Sequence, residues 1–229
     1  LFEAVDRYTD LLLEQGKGKF IVGLTDFHPG GDHLAALRDP QELAVDMLCN
    51  EEAVIRELKK SYTDYFAVYD YFYDKLSKAG MPASTWTPIA YPGKFYVPSN
   101  DFSCMVSKEM YDRVFLPGLI EECRHYERSI YHLDGPGALR HLDSLLSIPE
   151  LDAIQWVPGA NNEEFHRWIR VCQKIQNGGK ALEITAIDIT ELPLAFENLR
   201  PEGVWFSRIT GIRNKEDAEY ALKRIAQWR

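Results

Sequence analysis

The sequence predicts an α/β fold, a (β/α)8 TIM barrel that lacks its N-terminal βα units in this chain. Three observations carry that expectation. Apolar strand-like runs alternate with helix-like segments along most of the chain. The runs carry no solvent face, as parallel strands covered by helices do. Polar side chains recur at the C-terminal ends of those runs, where barrel sites form.

The elements follow in order. Residues 1–15 read as a helix closed by Gly16 and Gly18. Leu1 opens directly into that helix, which predicts that the chain is the later part of a longer protein. "KFIVGLTDF" reads as a buried strand that ends in His28-Pro29-Gly30-Gly31. Pro40 and Gln41 open helical sequence to about Ala79, divided at Asn50, where Glu51 and Glu52 mark a new N-terminus. Gly80 and Pro82 stop the second helix. "STWTPIAY" and "FYVPSNDF" form a strand-like region broken by prolines. Ser107-Lys108-Glu109 caps the next helix, which Pro117 bends or interrupts. From there "SIYHLDG", "LDAIQWVPG", "KALEITAI" and "GVWFSRITG" read as strands. "GALRHLDSLLSI", "NEEFHRWIRVCQKIQNGG", "TELPLAFENL" and "NKEDAEYALKRIAQWR" read as the helices after them.

Strand signals fall around 20–25, 85–100, 130–134, 152–157, 181–186 and 203–208. A closed barrel needs eight strands and typically about 250 residues. Two βα units before Leu1 would supply the difference. No linker marks a boundary, so residues 1–229 read as one barrel domain. An open doubly wound sheet is the alternative, but no glycine-rich nucleotide loop supports it.

Composition narrows the partners. The 229 residues carry a net charge of −9, with a pI near 5.2. That argues against a nucleic-acid backbone or an anionic membrane surface as the main partner. No apolar run approaches the roughly 20 residues needed to cross a bilayer. The four cysteines have no CxxC spacing, as in a reduced cytoplasmic protein. The aromatic run "YTDYFAVYDYFYDKL" has helical spacing and reads as helix packing or as a subunit interface, the basis for expecting a homodimer.

Candidate site residues come from the strand ends. Asp26 and His28 follow "IVGL", Asn100 and Asp101 follow "FYVPS", and His132 and Asp134 follow "SI". Gln155 and Trp156 end "LDAI", Glu183 lies in "ALEIT", and Arg208 lies in "VWFSRITG". A buried carboxylate is costly unless paired, bound to a metal or neutralised. Several such groups at strand ends predict one shared polar pocket. His132 and Asp134 are two apart and share a strand face. Gly135-Pro136-Gly137 then lets a substrate approach the backbone closely. Plainer readings exist for the others: His28 as a loop residue, Asp101 as a cap, and Glu183 with Arg208 as a structural ion pair.

"YHLDGPGALRHLDSLLSIPELDAIQWVPGA" resembles the uroporphyrinogen decarboxylase superfamily, which includes cobalamin-dependent methyltransferases. "RDPQELAVDMLCNEEAVIRELKKSYTDYF" is similar to that family's helix after its fourth strand, and "SNDFSCMVSKEMYDRVFLPGLIEECRH" to its fifth strand-and-helix unit. The resemblance runs from about Lys19 onward and implies a (β/α)8 barrel with its cleft at the C-terminal strand ends. The chain also departs from the family. It shows no arginine-rich N-terminal segment, and "SRITG" stands where decarboxylases carry a histidine. The methyltransferase branch binds zinc through His-x-Cys and a later cysteine; here the first motif is His132-Leu133-Asp134, and the last strand has no cysteine.

The resemblance therefore implies a methyltransferase-like enzyme moving a methyl group between a small substrate and the cobalt of a separate corrinoid protein. In that reading His132, Asp134 and Asp101 are catalytic, and His132, Asp134 and Glu183 could hold zinc through nitrogen and oxygen. Asp26, His28, Gln155, Trp156 and Arg208 contact the substrate, with Arg208 gripping a carboxylate. Decarboxylation of uroporphyrinogen or another carboxylate is the alternative, and a non-catalytic binding barrel is the second.

Overall fold

A computed structural model describes residues 1–229. The fold is mixed α/β and mostly helical. The chain divides into two compact units, Leu1–Ser129 and Ile130–Arg229.

Unit 1 is helical. It contains α1 (Phe2–Gln15), α2 (Gly30–Arg38), α3 (Pro40–Cys49) and α4 (Glu51–Lys78). Three two-residue strands follow: β1 (Ala83–Ser84), β2 (Ala90–Tyr91) and β3 (Phe95–Tyr96). α5 (Lys108–Val114) and α6 (Leu116–His125) close the unit. Asp39 caps α3 by accepting from the Gln41 amide at 2.8 Å, and the helix breaks at Asn50 as the sequence predicts. Ser107 Oγ accepts from the Met110 amide at 3.2 Å to start α5. α5 ends before Pro117, which sits in the first turn of α6.

The aromatic run on α4 builds the core of unit 1. Tyr65, Tyr69, Phe72 and Leu76 recur at helical spacing and pack with Val22, Leu24, Tyr96 and Tyr126. Burying each such side chain stabilises by roughly 2 kcal/mol.

The strand expected at 20–25 does not form. Val22 and Leu24 are buried, but Phe20 and Ile21 are exposed, so the run is only partly covered. The one backbone bond it makes to the neighbouring short strand is Leu24 N–H to the Ser84 carbonyl, at 2.7 Å. The 85–100 region gives only short strands, interrupted by Pro88 and Pro92, because proline donates nothing to a ladder. Gly30 and Gly31, read from the sequence as loop, instead begin α2. Gly30 has φ +79°, and a Cβ there would meet the Tyr62 hydroxyl at 2.9 Å.

β4 (Arg128–Asp134) starts in unit 1, where Arg128 and Ser129 pair in parallel with β3, and continues into unit 2. There follow α7 (Gly135–Ala138), α8 (Leu142–Leu146), β5 (Ala153–Val157), α9 (Ile169–Asn177), β6 (Ala181–Ile184) and β7 (Ile187–Asp188). α10 (Leu192–Asn198), β8 (Val204–Phe206), β9 (Ile209–Thr210) and α11 (Lys215–Gln227) complete the chain. The parallel strands run in the order β3-β4-β5-β6-β8, and β7 pairs separately with β9. The five-stranded sheet is open, so no closed barrel is formed. No helix is long and apolar enough to cross a membrane.

Register sets the two faces of the sheet in unit 2. His132, Gln155, Glu183 and Trp205 are aligned across β4, β5, β6 and β8. Leu133, Trp156, Ile184 and Phe206 form the next row and point to the opposite face. Leu133, Trp156 and Ile184 are buried, the pattern of a parallel strand covered on that side.

Candidate active site

A hydrogen-bonded row of three polar side chains crosses the sheet of unit 2. Gln155 donates from Nε2 to Glu183 Oε1 at 2.8 Å, and its Oε1 accepts from His132 Nδ1. The two bonds are consistent with a single amide orientation, and they put a proton on Nδ1 of the ring. Gln155 and Glu183 are each 2% exposed, and His132 is half-buried.

Glu183 is the unusual member. Its Oε2 is buried without a hydrogen-bond partner. Burial raises its pKa above the ordinary value, against the Gln155 hydrogen bond, Ser207 and the nearby His132 charge, all of which favour the ionised form. Ser207 Oγ also donates to the Ile184 carbonyl at 3.3 Å. A carboxyl group with one unsatisfied oxygen and a bias toward its neutral form can donate a proton or receive a ligand's hydrogen bond.

Asp134 ends β4 and is half-buried, and a ligand-capable atom of it lies within 4.8 Å of one on His132. These two side chains could offer one nitrogen and one oxygen to a zinc ion. Glu183 is separated from His132 by Gln155, which already binds Oε1, so joining it to the same ion would require displacing the amide.

Trp156 and Arg208 lie outside this row. Trp156 neighbours Gln155 in sequence but faces the other side of the sheet. It packs edge-on to Trp168 at 5.1 Å, with Nε1 buried and unpartnered. Arg208 is exposed and lines a small pocket of ≈ 220 Å³ with Glu163, Glu164, Asp188 and Glu191. It forms no ion pair with Glu183, and four carboxylates surround the position where it would grip a substrate carboxylate.

In unit 1, Asp101 is exposed at the start of a 3-10 turn, and its amide donates to Asp32 Oδ2 at 2.9 Å. Asp26 and His28 form a pair, His28 Nε2 to Asp26 Oδ1 at 2.8 Å. Asp32, which binds the Asp101 and Phe102 amides, was not singled out by the sequence. It lies in the first turn of α2, a helix that the sequence does not signal before Pro40. Tyr96 was missed as well. Its hydroxyl accepts from the Phe27 amide at 2.9 Å and contacts the Thr25 and Phe27 carbonyls at 2.9 and 3.0 Å, holding the segment that carries Asp26 and His28. Its one signal is the apolar run Phe95-Tyr96-Val97, which marks burial and not partners.

No family model, curated protein or solved structure matches this chain.

Proposed function

We propose that this chain is an enzyme of the uroporphyrinogen decarboxylase type, a corrinoid-dependent methyltransferase acting on a small methylated substrate. In this reading the parallel sheet belongs to a (β/α)8 barrel. The protein works in the cytoplasm as a homodimer with a corrinoid protein as partner. The observation that carries the proposal is the His132–Gln155–Glu183 row, with its buried, unsatisfied Glu183 oxygen on a parallel sheet.

The reaction asks the protein for a proton. When bound, the reduced corrinoid of the partner supplies the electron pair that accepts the methyl group. The substrate heteroatom keeps the pair of the broken bond to carbon and becomes a poor leaving group unless it is protonated. Glu183, held toward its neutral form by burial, gives that proton from its free oxygen. Gln155 fixes the carboxyl in place, and His132 aligns the amide from its other side. Asp134 orients the substrate at the strand end.

The test is a spectrophotometric assay with cob(I)alamin as acceptor and a methoxybenzoate as methyl donor. Methyl transfer by the wild type and its loss in Glu183→Gln, with unchanged circular dichroism, is the expected result. Transfer that survives Glu183→Gln would remove the acid from the mechanism. Release of carbon dioxide from uroporphyrinogen, with no methyl transfer, would replace the proposal by the decarboxylase reading.

A further inference from the structure

We infer that unit 1 holds a binding site for a small apolar organic cation, in a pocket between the start of α1, the 25–29 segment and α4. This inference rests on the geometry of unit 1 and not on the methyltransferase reading, although that reading also draws on Asp26 and His28. The pocket has a volume of ≈ 440 Å³, within the usual range for small-molecule sites. Its walls are mainly apolar and aromatic. Phe27 lies on Tyr65 with ring centroids 5.1 Å apart, Phe2 on Phe72 at 5.4 Å, and Val68 lines the α4 side.

The charges on the pocket select the ligand. Asp26 and Asp64 line it and are exposed, and no lysine or arginine side chain does. An anionic ligand would meet two carboxylates, with no lysine or arginine and only the imidazoles of His28, already bound to Asp26, and His33 to pair with. A neutral apolar ligand would gain only burial. A cation with an apolar body would gain burial against the walls, attraction to Asp26 and Asp64, and contact with aromatic rings. Ser61 is not available to a ligand, since it donates to the Leu58 carbonyl at 2.8 Å and accepts from the Gly30 amide at 3.2 Å.

The site is organised before any ligand arrives. The 25–29 segment has no regular secondary structure, yet Tyr96 holds its backbone through the Phe27 amide and the Thr25 and Phe27 carbonyls. His28 Nε2 holds the Asp26 carboxylate at 2.8 Å. Asp26 is therefore fixed at the pocket by its own neighbour, which reduces the ordering cost of binding.

The experiment is isothermal titration calorimetry at pH 8 with benzyltrimethylammonium, with 3-phenylpropionate as the anionic probe and 3-phenylpropanol as the neutral one. The cation should bind in preference to both. Asp64→Asn should weaken it by about fivefold, the size of one screened carboxylate contact, and Asp26→Asn/Asp64→Asn should weaken it further. Val68→Trp, which fills the pocket, should abolish binding, with circular dichroism confirming that each variant is folded. Equal binding of the three probes, no binding of the cation, or unchanged affinity in the folded double variant would overturn the inference. Because no turnover is measured, loss of this site and loss of the methyltransferase reading are separate outcomes.

Discussion

Gln155 and Glu183 face each other in register on neighbouring parallel strands, joined by the Gln155 amide at 2.8 Å. The same amide receives His132 on its other side, so one neutral side chain spans two ionisable ones. Removing it changes both.

Gln155→Leu is expected to raise the Glu183 pKa further, because the amide hydrogen bond favours the ionised carboxylate and burial does not. It also leaves buried polar atoms without partners, which costs about 1–3 kcal/mol. Carbon-13 NMR of the Glu183 carboxyl reads the first effect, and urea unfolding reads the second. A titration midpoint unchanged from wild type would show that Gln155 does not control this acid.

Glu183 also links pH to folding. Its folded-state pKa is raised above that of the unfolded chain, so the folded state retains its proton where the unfolded chain has lost it. Its contribution is present in full below the ordinary carboxylate range and is lost as pH rises through the raised value. Glu183→Gln is expected to flatten the stability profile across that window in urea titrations at several pH values. A slope identical to wild type would rule the group out.

Glu122 in unit 1 has the same sign and a larger effect. It is 1% exposed beside the Tyr126 hydroxyl at 3.3 Å, and burial pushes its pKa up to about 8. Its stabilising share is complete below about pH 4.5 and falls away as pH rises through 8. Between pH 6 and 9 the loss is of order 2–3 kcal/mol, from about 1.4 kcal/mol per pH unit up to the raised value and almost none beyond it. Glu122→Gln, which keeps a neutral partner for Tyr126, should remove that loss in denaturant titrations at the two pH values.

The sequence made some of this legible, for physical reasons. The apolar runs at β4, β5, β6 and β8 mark strands buried on a sheet, and period two puts His132 and Asp134 on one face and Gln155 opposite Trp156. What it cannot carry is register between strands. That Gln155 lies between His132 and Glu183 depends on how three strands align, and nothing within any one of them records it. The 20–25 run shows the converse. Its apolar character marks burial of Val22 and Leu24, but a strand also needs a ladder partner, and the chain offers little beyond Ser84. Glu122 and Asp32 lie in helices, where sequence spacing suggests a solvated surface and only tertiary packing reveals burial or capping.

Asp32 is a cap more than a site residue. Its Oδ1 accepts from the Phe102 amide at 2.8 Å and its Oδ2 from the Asp101 amide at 2.9 Å, while Ser99 donates to it at 3.3 Å. Asp32→Ala should destabilise unit 1 by about 1–2 kcal/mol. The 101–105 turn should open first, seen as faster amide exchange at Asp101 and Phe102. Unchanged exchange at those two amides would mean that other groups hold the turn.

Tyr96→Phe probes the segment that carries Asp26 and His28. The phenol accepts one backbone bond and donates toward two carbonyls, and its ring lies within 5.9 Å of the His28 ring and 5.8 Å of Phe27. The substitution keeps the ring and deletes the oxygen, so packing is preserved while the Phe27 amide loses its acceptor. The expected cost is about 1–3 kcal/mol, with amide exchange at Phe27 accelerating more than at the α4 residues around it. Asp26 and His28 would then be less firmly placed, and benzyltrimethylammonium affinity should fall although no pocket-lining side chain has changed. If exchange at Phe27 quickens and affinity holds, the anchor supports the fold without organising the pocket. If neither moves, the Thr25 and Phe27 backbone is held by packing alone and the phenol oxygen is dispensable.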